Sequence, residues 1–188
     1  MGLISLEHGT TAYRADFAFY GAAVAGLGGS LLIGAPANGA LPLAGTAMAG
    51  LATWSLLEYL LHRFVLHGLQ PFKGWHAEHH ARPAALICAP TLLSAALIVM
   101  LVYGPAWWLT GPWPATALSF GVVTGYLGYA VTHHATHHWR GGGAWLRRRK
   151  RWHARHHHAA QESCYGVTSG FWDHAFGTAA QGRPAQRL

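Results

Sequence analysis

Charged residues are scarce in this chain. Asp, Glu, Lys and Arg make up 10% of its 188 residues, against roughly 25% in soluble domains, so much of the surface does not face water. Two cysteines, Cys88 and Cys164, are too few and too isolated for a disulfide framework. The opening residues lack a basic segment leading into a small-residue cleavage site, so no removable signal peptide is expected. No glycine-rich dinucleotide fingerprint follows a strand pattern, which excludes a built-in flavin or nicotinamide site of that kind. Internal repeats and low-complexity tracts are missing too, apart from a short glycine hinge at 141–143. What is present is apolar, 52% of residues, in a length that suits one domain over residues 1–188.

The apolar residues gather into four stretches, at about 17–34, 41–61, 86–109 and 113–131. Each approaches the ~20 residues a helix needs to cross the hydrocarbon core. Pro42 suits the first turn of the second stretch, Pro90 and Pro105 bound or kink the third, and Gly111-Pro112 turns the chain into the fourth. The links near 35–40 and 110–112 contain no charged residue and no histidine. All thirteen Lys and Arg fall in the N-terminal segment, the 61–86 connection or the tail after 132. An up-down-up-down path places those three regions on one side, which the positive-inside rule makes cytoplasmic. An all-α integral membrane protein with four transmembrane helices and a cytosolic histidine-rich helical cap is therefore expected. Its membrane is an inner membrane or one like the endoplasmic reticulum. The net charge of +7 and the basic run at 147–151 fit anionic lipid headgroups beside the spans, and no nucleic-acid partner is expected. Trp107, Trp108, Trp113 and Trp139 fit an interfacial aromatic belt.

Fifteen histidines stand out against this background, and most lie in boxes at 62–80 and 133–157 on the predicted cytoplasmic side. Residues three and four apart share a helix face. His76, His79 and His80 therefore project together, as do His153, His156 and His157, while His133 pairs with His137 and His134 with His138. His62 and His67 do not share a face of a straight helix. They converge only if the helix ends or loosens near 64–66, or if each reaches a different metal. Neutral imidazole suits Fe, Zn, Cu and Ni alike. Ten boxed histidines exceed the four ligands of a structural zinc, whereas two ions with about five nitrogens each would use them. Ligating imidazoles need the other ring nitrogen held by a carboxylate or carbonyl. Glu58, Glu78, Glu162 and Asp173 lie near the boxes and are candidates to hold it. His134, His138 and His158 are expected to pack, hydrogen-bond or touch substrate, and His8 and His174 to be interfacial residues.

Glu58, Tyr59, His62, Arg63 and His67, followed by Trp75, His76, His79 and His80, resemble the fatty acid hydroxylase/sterol desaturase superfamily. The closing stretch strengthens the resemblance: His153, His156 and His157, then Gly166-Val167-Thr168-Ser169, Phe171-Trp172-Asp173 and Phe176-Gly177-Thr178. That ending is similar to the fatty acid 2-hydroxylase branch especially. The resemblance implies a membrane oxygenase that hydroxylates a lipid acyl chain in lipid biosynthesis, with O2 as co-substrate and two Fe ions that Zn can replace. It implies an external electron donor such as a ferredoxin or cytochrome. Its ligands would be His62, His67, His76, His79, His80, His133, His137, His153, His156 and His157. Two positions depart from the pattern: Ala130 stands where an Asp is frequent, and His134 where an aromatic is common. The 67–76 spacer is also short. The alternatives are a sterol or carotenoid oxygenase or desaturase with the same metal site, a metal transporter, and a non-catalytic zinc-binding relative. Transport would call for polar ligands at mid-bilayer depth, and Asp16 and Glu58 lie near helix ends instead.

Overall fold

The structure is a computed structural model and describes residues 7–158 and 162–180. Residues 1–6, 159–161 and 181–188 of the expected single domain lie outside the described residues. Among the described residues the fold is all-helical, with one isolated bridge between Glu7 and Ile87. The elements are α1 (Thr10–Gly34), α2 (Ala40–Leu60), α3 (Phe72–Ala81), α4 (Thr91–Ile98), α5 (Gly104–Thr110), α6 (Pro112–His138), α7 (Ala144–His158) and α8 (Phe171–Ala175). Four helical stretches are long and apolar enough to cross a membrane: Thr10–Gly34, Ala40–Leu66, Thr91–Thr110 and Pro112–His138. The first begins earlier than its apolar run, because the polar turn carrying Arg14 and Asp16 is already helical. The third begins later, at Thr91. Pro83 follows the end of α3 and Pro90 caps α4, and the residue before a proline resists the helical region.

Helix α6 is the centre of the bundle. Half of its most apolar window is buried, against 6% for α1 and none for the third span. The outward faces carry large exposed apolar residues such as Leu32, Leu92, Leu101 and Trp108, the arrangement a lipid surround requires. Helices α2 and α6 cross on glycine: a Cβ at Gly121 would land on the Ala47 carbonyl, and one at Gly50 on the Leu118 carbonyl. Small residues at the crossing let the two backbones touch, which in a membrane takes the place of hydrophobic driving force.

Two π-helical turns interrupt the spans. Leu61–Leu66 continues α2, and Val99–Tyr103 joins α4 to α5 just before Pro105, which lacks the N–H of a regular turn. On the histidine side, α3 and α7 lie over the ends of the spans. Helix α7 buries Leu146, Arg149, Trp152, His153 and His156, a spacing that gives one inward stripe and leaves Arg147, Arg148 and Arg151 exposed. The segment 162–180 then returns across the end of α2. The Trp172 indole donates to Ser55 at 3.1 Å, and the Tyr59 and Thr178 hydroxyls bond at 3.0 Å.

Candidate metal centre

The π turn settles the spacing of the first histidine pair. The His67 N–H donates to the His62 carbonyl at 3.2 Å, a five-residue hydrogen bond that winds both side chains onto one face. Their ring centroids lie 5.3 Å apart. The loosened helix, rather than two distant metals, is how His62 and His67 meet.

The boxed histidines form two groups. Ring nitrogens of His62, His67, His76, His80 and His156 lie within 4.8 Å of one another, and so do those of His79, His133, His137 and His153. In the first group the Nε2 atoms face inward: His62 to His76 is 2.9 Å, His76 to His80 3.0 Å, His80 to His156 3.1 Å and His156 to His67 3.2 Å. In the second, His137 and His153 meet through Nε2 at 2.7 Å. His157 sits at the seam. Its Nε2 is 3.1 Å from that of His153, and its ring stacks on His80 with centroids 4.1 Å apart.

The tautomers make this a set of acceptors. His62 Nδ1–H donates to the Tyr165 carbonyl at 2.5 Å, and His156 Nδ1–H to the Ser163 carbonyl at 2.8 Å. With Nδ1 protonated, Nε2 presents a lone pair, and lone pairs converging this closely repel one another unless a cation lies between them. Burial keeps these rings neutral. It pulls His79 and His156 down to about 3, His80 to about 4 and His157 to about 2, and neighbouring imidazoles add to the shift. His76 is lowered further by the same causes. Both ring nitrogens of His79 are buried without a hydrogen-bond partner among the described residues. A neutral, nitrogen-only donor set in two adjoining clusters fits a pair of borderline transition-metal ions.

The expected carboxylate partners need correction. Glu58, Glu78 and Asp173 make no contact with an imidazole among the described residues. Glu78 lies on the outer face of α3, two positions from His76, and pairs with Arg82 at 2.6 Å. Glu58 accepts from the Val167 and Thr168 N–H groups at 2.7 and 2.8 Å and from the Thr168 hydroxyl at 2.6 Å. Asp173 accepts from the Tyr165 and Gly166 N–H groups, the Trp152 indole and the Thr178 hydroxyl, all within 3.2 Å. Both carboxylates thus grip the 165–168 backbone, whose Tyr165 carbonyl holds His62. They act through the loop. Glu162 does approach a ring, with Oε1 3.4 Å from His67 Nδ1. Ser163 and Tyr165 escape sequence reasoning because the working atom is a main-chain carbonyl, which every residue has.

The second histidine stripe lies apart. His134 and His138 stack on each other with centroids 4.6 Å apart, and His134 Nδ1 bonds the Tyr13 hydroxyl at 3.2 Å. His174 packs over Trp152, and the His8 N–H donates to the Leu86 carbonyl.

A cavity of about 150 Å³ opens against His76, His79 and His133. Its other walls are mainly apolar and aromatic, with Phe17 from α1, Phe72 and Trp75 from α3, and Tyr129 from α6. Ala130 lines it as well, so the small side chain at this departure leaves room beside the histidines. The α1 contribution bears no mark in the sequence, since it lies far from every box.

A family model described as fatty acid hydroxylase matches residues 47–178. The dihydroceramide fatty acyl 2-hydroxylase of Arabidopsis thaliana is 34% identical over 140 residues, which cover 69% of this chain and 58% of the relative. The ceramide very long chain fatty acid hydroxylase of Schizosaccharomyces pombe is 35% identical over 147 residues, 69% of this chain and 40% of the relative. The chain therefore spans about half the length of the curated relatives it matches. A solved structure of full-length scs7p, in which only the hydroxylase domain is visible, superposes with a TM-score of 0.77 at 25% identity, over 94% of this chain and 68% of that one. Matched over the histidine boxes and the closing loop together, this chain belongs to the fatty acid hydroxylase family.

Proposed function

We propose that this chain is a membrane-embedded lipid hydroxylase that inserts one oxygen atom of O2 into a C–H bond of an acyl chain. The observation that carries the reading is the junction of two histidine clusters with a largely apolar cavity. Ten histidines would hold the metals: His62, His67, His76, His80 and His156 around one, and His79, His133, His137 and His153 around the other, with His157 between. Two iron ions so bound would supply O2 activation and one-electron chemistry, and zinc suits the same nitrogens. The chain's own part is positioning. His76, His79 and His133 close one end of the cavity, so an acyl segment seated there lies against the metal-holding rings. Phe17, Phe72, Trp75 and Tyr129 keep water from that segment. The Tyr165 and Ser163 carbonyls fix the tautomers of His62 and His156 throughout.

Electrons come from an external donor, a ferredoxin or cytochrome, arriving on the cytosolic side. That orientation follows from the placement of the basic residues beside the histidine cap. The relatives are named for fatty acyl and ceramide hydroxylation, and a lipid acyl chain is the substrate class proposed here.

Purified anaerobically with ferrous iron, the protein is expected to bind about two metals per chain, and well under one would sink the dinuclear reading. His79→Ala and His156→Ala remove one ligand from each cluster. Each is expected to abolish lipid hydroxylation in a membrane assay, and product persisting in both would show the ligand assignment to be wrong. Comparative lipidomics of cells with and without the gene identifies the product.

A further inference from the structure

Asp16 is a carboxylate that the metal centre leaves unused. It sits on α1, only 5% exposed, in the wall of the cavity that His76, His79 and His133 close. Tyr13, one helical turn away on α1, bonds His134, the neighbour of His133, so Asp16 lies about 5 Å along the helix from the level of the histidines. Carboxylates in membrane spans are rare and mark function more often than packing.

One structural partner is present. The Thr91 hydroxyl donates to Asp16 Oδ1 at 2.7 Å, and Thr91 opens α4, whose positive end favours a negative group. The neighbouring hydroxyls are turned elsewhere. Tyr20 and Ser94 bond each other at 2.7 Å, and Tyr13 is committed to His134. Asp16 Oδ2 takes no hydrogen bond from the described residues. Anchoring α1 to α4 needs one oxygen, so the second is left at the cavity wall as an acceptor without a donor. Such a group is costly to bury and gains when a ligand supplies the hydrogen. The cavity's volume is that of a site which holds a benzene-sized molecule, so it admits the reacting end of a lipid rather than a whole acyl chain.

We propose that Asp16 is a substrate-positioning residue whose second carboxylate oxygen accepts a hydrogen bond from an O–H or N–H group carried by the lipid beside the carbon that reacts. The inference rests on the lipid-hydroxylase reading and narrows it to donor-bearing lipids. An amide N–H or a hydroxyl close to the acyl carbonyl satisfies Asp16. An ester or thioester offers only acceptors there and leaves the carboxylate unpaired. Sites built around a buried hydrogen-bonding group reject analogues that lack the partner far more strongly than apolar pockets reject a missing methylene.

The test is binding without turnover, so that it stands apart from the hydroxylation assay. The full chain, iron-loaded and kept anaerobic in lipid nanodiscs, is titrated with radiolabelled ligands of one acyl length. They are N-acyl sphinganine, its N-methyl amide, its O-methylated form and the acyl methyl ester. Wild type is expected to bind N-acyl sphinganine at least about tenfold more tightly than the ester. Whichever methylation removes that preference identifies the donor. Asp16→Leu should bring the ratio close to one without weakening the ester. Asp16→Asn, which keeps an acceptor oxygen and the side-chain shape, should retain part of it, and it carries the test if the leucine variant does not fold. Thr91→Val keeps the carboxylate and should keep a preference. Equal binding of all ligands by wild type overturns the proposal. So does a uniform loss across ligands in both Asp16 variants with the ratio intact, which is the mark of an anchor alone.

Discussion

Asp173 shows how a residue can serve a metal centre without touching it. Its carboxylate is fully buried and receives four hydrogen bonds, two of them from the main chain at Tyr165 and Gly166. Gly166 has no alternative, since a Cβ there would strike the Ser169 carbonyl. Asp173→Ala strands those buried donors, at about 1–3 kcal/mol for each one left unsatisfied. It is expected to lower the thermal midpoint and to release metal in the same step, read by thermal unfolding and by metal content after desalting. Glu78→Ala is the counterpart. Its ion pair with Arg82 is solvent-exposed, worth about 0–1 kcal/mol, and the variant should keep both its metal and its melting temperature. Sequence distance cannot separate the two, because both carboxylates lie close to histidine boxes. The difference is one of direction: Glu78 lies on the outer face of its helix, while Asp173 closes a loop on itself.

At the scale of the element, the π turn at Leu61–Leu66 decides whether the first box is a ligand pair at all. The sequence places His62 and His67 five residues apart and leaves two geometries open, because a helix that bonds every fifth residue and one that bonds every fourth have the same composition. Deleting Val65 would restore a four-residue spacing and turn everything after it by about 100°. The expected result is loss of metal from the cluster of His62, His67, His76, His80 and His156, with the other group retained, so that bound metal falls by about half. Metal analysis and thermal unfolding check it, and unchanged stoichiometry would show that the turn is dispensable. The α2–α6 crossing is a second element-scale case. Gly50 and Gly121 stand in the sequence among many other glycines, and only the close approach of two backbones distinguishes them. Gly121→Val should destabilise the bundle by about 1–3 kcal/mol, measured as a lowered unfolding midpoint in detergent, whereas Gly45→Val, with open space at its Cβ, should not.

For the whole molecule, the four-span path and the gathering of histidines at one end are legible from the order of apolar runs and charges. Both depend on composition averaged over many residues. The cavity is less legible, because it is assembled from α1, α3, α4 and α6 at once and Asp16 is separated from the histidine boxes by an entire span. The same averaging supports a sidedness that can be measured. The loop between α1 and α2 carries exposed Asn38, and exposed Arg140 lies between α6 and α7 on the histidine side. Cysteines placed at these two positions, with Cys88 and Cys164 changed to alanine, should face opposite compartments. In intact cells a membrane-impermeant maleimide is expected to label Asn38→Cys and to reach Arg140→Cys only after permeabilisation. Labelling of both from one side would refute the four-span path, and the reverse pattern would put the histidines outside. The outcome bears on chemistry, because a soluble cytosolic donor can deliver electrons only to a metal centre on its own side of the membrane.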